Sequence, residues 1–80
     1  MPTTIRTKAH KRLIAALIEA RKRARWSQAK AADKLDYSQT WLARIESGQR
    51  RVDVIEYTAL CKLYGSDPCK LLKLLLNNLD

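Results

Sequence analysis

Phenylalanine is missing from these 80 residues, aromatics make up only 6%, and glycine and proline occur twice each. So few turn formers and aromatics argue against the many short strands of a sandwich or barrel, and the abundant Ala, Leu, Lys, Arg and Gln favour helices. The two cysteines, Cys61 and Cys69, stand eight residues apart without a CxxC, and the single histidine, His10, is far from both. That spacing offers neither a zinc site nor a redox motif, so both thiols read as reduced and buried. No apolar run approaches the ~18 residues of a membrane span, and the first dozen residues lack the apolar core of a signal peptide. The chain reads as soluble and cytoplasmic. A catalytic set is absent too: there is no Cys–His pair, no usefully spaced carboxylate pair and no glycine-rich phosphate loop, so neither an enzyme nor a cofactor or small-molecule ligand is implied. The length allows one domain and not two.

Acidic residues are scarce where basic ones are dense. Residues 1 to 51 carry thirteen Lys or Arg against four Asp or Glu, whereas residues 52 to 80 carry three against four. The overall charge is +8, and nearly all of the excess belongs to the first half, which should face a polyanion.

Residues 1 to 8 read as a flexible arm ahead of a single domain over 9–80. Leu13, Ile14, Leu17 and Ile18, continued by Ala20 and Ala24, repeat at helical spacing and predict a first helix from about Ala9 to Arg25. Ser27 can cap a second helix from Gln28 to about Leu35, broken at Asp36 and Tyr37, and Ser38 can cap a third that stops at Ser47 before Gly48. After a basic loop, Asp53 and Glu56 fit a capping box that opens a fourth helix, Val54 to Tyr64, halted by Gly65. Asp67 and Pro68 then supply a cap and a first-turn proline for a fifth helix to about Asn77. The expected architecture is all-α, five short helices in one compact unit.

The stretch from Gln28 to Ser47 carries most of the functional signal. Two helices joined by a tight turn must cross steeply for one of them to be presented to a groove. Ala29, Ala31 and Ala32 are small enough for that close approach, and Leu35, Tyr37, Leu42 and Ile45 supply apolar anchors. At about 100° per residue, Gln39, Thr40, Ala43, Arg44 and Ser47 share an arc of about 140°, with Ser38, Leu42, Ile45 and Glu46 opposite. The outward arc is short, polar and free of acids, which suits base edges and phosphates. Trp26 reads as core. For Trp41, at the edge of the inner face, core packing and a contact with a phosphate backbone both remain open.

Residues 17 to 65 resemble the helix-turn-helix domain of the phage repressor/Cro and Xre-like family of transcriptional regulators. The matching residues are Arg21, the Ser27–Gln28 opening, Ala32, Leu35, Leu42, the run Ile45 to Gly48, and Leu60 to Gly65. Two departures stand out: Asp36 where the turn commonly has glycine, and Val52 where many members have proline. The resemblance implies a five-helix lambda-repressor-like fold and a bacterial or phage-borne, sequence-specific, repressor-like regulator of double-stranded DNA, with helix 38–47 in the major groove. Residue by residue, it implies base contacts from Gln39, Thr40, Ala43 and Arg44. Arg44 is equally suited to a phosphate. Phosphate contacts fall to Gln28, Ser38, Ser47, Arg50 and Arg51, and a structural ion pair to Arg21 and Glu46, neither touching DNA.

The fifth helix has six leucines in nine residues, more than one face can bury. Leu71, Leu74 and Leu75 are expected to cover the core. Leu72, Leu76 and Leu79 are then left as an interface, first of all for a two-fold homodimer on a palindromic operator, and otherwise for another domain. The rival class is a protein-interaction module of the same fold, antitoxin-like or an adaptor, working through this leucine-rich helix. Structured RNA is a third partner, though no aromatic stacking platform supports it.

Overall fold

A computed structural model of the chain describes residues 8 to 77. Five helices follow one another: α1 (Lys8–Arg23), α2 (Gln28–Lys34), α3 (Gln39–Glu46), α4 (Val54–Tyr64) and α5 (Pro68–Asn77). There is no strand among the described residues. Lys8 already belongs to α1, so at most residues 1 to 7 remain for an N-terminal arm, and these lie outside the described residues, as does Leu79.

Short polar side chains start the helices. Ser27 Oγ accepts from Lys30 N at 3.1 Å, and Ser38 Oγ accepts from Trp41 N at 3.1 Å. Asp53 and Glu56 form a reciprocal box, each carboxylate accepting from the other's backbone N–H at 2.7 and 3.0 Å. Each of these bonds satisfies a donor that the first turn leaves without a helical partner.

The first four helices share one ending. The N–H just after a left-handed residue reaches back over the last turn: Trp26 to Arg21, Tyr37 to Ala32, Gln49 to Arg44 and Ser66 to Cys61, all at 2.9–3.1 Å. The left-handed position is glycine at Gly48 (φ 81) and Gly65 (φ 73), but Arg25 (φ 65) and Asp36 (φ 64) in the other two. This closure stops α1 at Arg23, two residues before the apolar stripe suggests, because the backbone reverses at Arg25.

α1 packs against α3, α4 and α5, α2 against α3, and α4 against α5. Ile14, Leu17, Leu42, Ile45 and Leu60 form the centre, with Trp41 closing one side. Ala31 and Ala32 are wholly buried where α2 meets α3, which lets the two helices approach closely, whereas Ala29 faces solvent. Trp26 is half-buried against this core. Three expectations need correction. Tyr37 is not an inner anchor: it is 40% exposed and stacks flat on Trp41 at 3.9 Å. Leu74 is 56% exposed, since a single helix lying on α1 and α4 cannot turn all its leucines inward. Only Cys61 is buried, its thiol pushed up by desolvation, while Cys69 is exposed. No described helix is long and apolar enough to cross a membrane.

Candidate nucleic-acid interface

Helix α3 is held at both ends by buried carboxylates. At its C-terminal end Glu46 accepts from Arg21 twice, from Nε at 2.7 Å and from Nη2 at 3.0 Å, while Arg21 Nη1 donates to the Trp26 carbonyl at 2.8 Å. The pair is nearly dry, and the hydrogen bond to Glu46 holds the Arg21 guanidinium above its ordinary pKa. One side chain of α1 thus fixes both the start of α2 and the end of α3. Gln28 Nε2 adds a third bond to Glu46 at 2.8 Å, and Gln39 Nε2 reaches Gln28 Oε1 at 3.5 Å.

The second carboxylate, Glu56, was visible in the sequence only as half of a capping box. It is 5% exposed and also accepts from Arg50 Nη1 at 2.8 Å, Arg50 Nη2 at 2.9 Å and Trp41 Nε1 at 3.2 Å. The Arg50 guanidinium is the main reason its carboxyl sits below the usual range, against the opposing effect of burial. The basic loop, the start of α4 and the indole of α3 therefore meet on one side chain. Beside the phosphate contact expected of it, Arg50 has a structural role: its guanidinium bonds Glu56 and, through Nη1, the Arg51 carbonyl at 2.8 Å, which fastens the loop. No local pattern signals this, because the sequence says nothing about which carboxylate a loop arginine will find.

Between these two fastenings the outward face of α3 is open. Gln39, Thr40, Arg44 and Ser47 are exposed and Ala43 is half-buried. With Gln49, which sequence reasoning did not single out, they line a shallow concavity of about 430 Å³. No carboxylate lines it. Ser38 uses its oxygen as the α3 cap and keeps its hydroxyl proton. Ser47 donates its proton to the Arg44 carbonyl at 3.2 Å. Arg44 and Arg51 are exposed, and neither makes an ion pair among the described residues. The face can therefore present amides, a hydroxyl, a methyl group and guanidinium charge to a polyanion, with no acid to repel it.

The model of a family described as a helix-turn-helix domain matches residues 12–74 of the chain. Among solved structures, the chain is similar to an XRE-family like protein from Pseudomonas syringae pv. tomato str. DC3000, at 35% identity and a TM-score of 0.80, over 86% of this chain and 84% of that one. No curated protein matches it.

Proposed function

The chain belongs to the helix-turn-helix family, in its XRE-like branch, and is in general terms a DNA-binding regulator; from that premise we propose that it binds a specific double-stranded DNA site as a repressor-like homodimer inside the cell. The observation that carries this reading is the acid-free concavity on α3, held rigid by Glu46 at one end and Glu56 beside it. A reading surface must keep its donors and acceptors in place before the DNA arrives, or the ordering cost erodes selectivity.

In this reading Gln39, Thr40, Ala43 and Arg44 meet base edges in the major groove, Gln39 pairing with adenine, Thr40 and Ala43 touching a thymine methyl, and Arg44 taking guanine or a phosphate. Arg50, Arg51, Ser38, Ser47 and the second N–H of Gln28 take the DNA backbone, and Arg50 also holds the loop. Leu72 and Leu76, exposed on α5, supply the dimer contact, and the site is a palindrome with half-sites about 34 Å apart. The same leucines support a second reading, in which α5 docks a different protein.

Selection from a random duplex library tests the proposal. A functional protein enriches a palindrome, and binds it at least about a thousandfold tighter than scrambled duplex at physiological salt. Equal affinity for both would sink sequence-specific binding and favour the protein-docking reading.

A further inference from the structure

The four helix endings close on a left-handed residue, and three of the four have a local reason for it. Gly48 and Gly65 carry no Cβ, and Asp36 is of a type that tolerates this conformation better than most. The fourth is Arg25, at φ 65, where a Cβ is penalised and nothing in an arginine side chain offsets it locally. Its backbone is pinned there from the next residue on: the Trp26 N–H donates to the Arg21 carbonyl at 3.1 Å, and the Trp26 carbonyl accepts from Arg21 Nη1 at 2.8 Å. The Arg25 side chain is exposed and makes no ion pair among the described residues. A strained, charged residue held out to solvent points to a task outside the fold.

Its position identifies the task. Arg25 stands three residues before Gln28, at most about 11 Å of backbone, and Gln28 touches Gln39 of the reading face at 3.5 Å. Lys22 and Lys30, on either side of it in the chain, are exposed as well. Glu46, beneath Gln28, has its charge taken up by Arg21. We propose, on the reading of α3 as the recognition helix, that Arg25 grips a phosphate of double-stranded DNA neighbouring the contact at Gln28. This lengthens the footprint beyond the bases that α3 reads. A guanidinium is always charged and offers a fork of N–H donors that fits phosphate oxygens in pairs. Glycine would relieve the turn but has nothing to offer the DNA, so stability is given up here for a hold on the backbone.

Arg25→Gly removes the strain and the charge together, and the two effects should part company. The melting temperature should rise by a few degrees. The plot of log K against log salt should flatten by about 0.9, which amounts to roughly fivefold weaker binding at 0.15 M salt. Arg23→Ala controls for net charge. It too removes one positive charge, but Arg23 lies about 200° round α1 from Arg21, on the side turned from α3, where it pairs with Glu19 at 3.8 Å; its slope should match the wild type. Replacing one phosphate at a time by a neutral methylphosphonate then locates the contact. At one position the wild type and Arg23→Ala should lose affinity while Arg25→Gly does not. An unchanged slope in Arg25→Gly would overturn the contact, and so would equal flattening in both variants with no position lost from the scan. A lower melting temperature in Arg25→Gly would show the side chain serving the fold and overturn the trade. Slopes are read on scrambled duplex as well, because a phosphate contact needs no particular sequence. A protein that reads no specific site therefore still decides whether Arg25 holds the backbone.

Discussion

Asp36 holds a left-handed backbone (φ 64) because the closing bond from Tyr37 N to the Ala32 carbonyl at 2.9 Å requires it. For a residue with a Cβ that conformation costs about 1–2 kcal/mol, part of which glycine gives back as greater freedom in the unfolded chain. Asp36→Gly should therefore stabilise the domain by about 0.5–1 kcal/mol, visible as a melting temperature several degrees higher. An unchanged or lower value would mean that the Asp36 side chain offsets its own strain. Tyr64 carries a different burden: its hydroxyl is buried with no hydrogen-bond partner, and burial raises its pKa to about 12. Tyr64→Phe removes an unsatisfied group and keeps the ring, so stability should hold or rise by up to about 1 kcal/mol. A neutral phenol favoured in the fold stabilises it below the unfolded value of about 10, and that contribution fades as pH rises towards 12. The variant should lose this part of the alkaline sensitivity, read from unfolding curves between pH 9 and 12. The left-handed aspartate was legible in the sequence, because turn chemistry is local. The orphaned hydroxyl was not, because only the packed core shows what surrounds it.

At the scale of elements, local signals placed three helix starts and most ends: Ser27, Ser38 and Asp53 cap where a short polar side chain precedes an apolar pattern. What the sequence could not show was the second use of Glu56, since its bonds to Trp41 and Arg50 join residues that no periodicity connects. Two opposite outcomes follow for neighbouring arginines. Arg50→Ala strips a buried carboxylate of its main partner and should cost roughly 1–3 kcal/mol, the lower end because the Arg50 side chain is 41% exposed. Arg51→Ala should leave stability alone and flatten the plot of log K against log salt by about 0.9, one phosphate's worth of released counterion. If Arg50→Ala flattens the slope without loss of stability, its charge serves DNA and not the loop. Glu56 also sets an acid limit. Its carboxyl titrates below the unfolded value of roughly 4.3, so its contribution is complete above that value and is lost as pH falls through the lower folded one. Glu56→Gln should remove this acid sensitivity while weakening the domain at neutral pH, as measured by urea unfolding between pH 2 and 7.

For the whole molecule, the charge asymmetry between the two halves was plain in the sequence, and the acid-free face of α3 belongs to the basic half. The leucine-rich end was only partly legible. Five leucines on one short helix exceed any single face, and which of them turn inward depends on how α5 rests on α1 and α4. Leu72 and Leu76, one turn apart, are both exposed, and each forgoes roughly 1.5–3 kcal/mol of burial if left in water. Leu76→Glu should give a folded monomer that binds a single half-site weakly, because the second half-site is no longer engaged by the same complex. Sedimentation of the variant beside the wild type decides the matter. A wild type that is already monomeric and binds one half-site as tightly as a palindrome would rule the dimer out.

Helix α5 has no fully buried residue. It is moored by the Tyr57 hydroxyl, which donates to the Pro68 carbonyl at 2.6 Å, and by Leu71 against the core. With no fully buried residue, α5 is the helix expected to detach and return while the other four stay folded. Its amides should then trade hydrogen for deuterium well before those around Leu60 and Cys61, whose side chains are wholly enclosed. If a second copy covers Leu72 and Leu76, that exchange slows as protein concentration rises, and only in α5. The last helix would then be a segment whose order is set by how much of the protein is present, firm when copies are plentiful and loose when they are scarce.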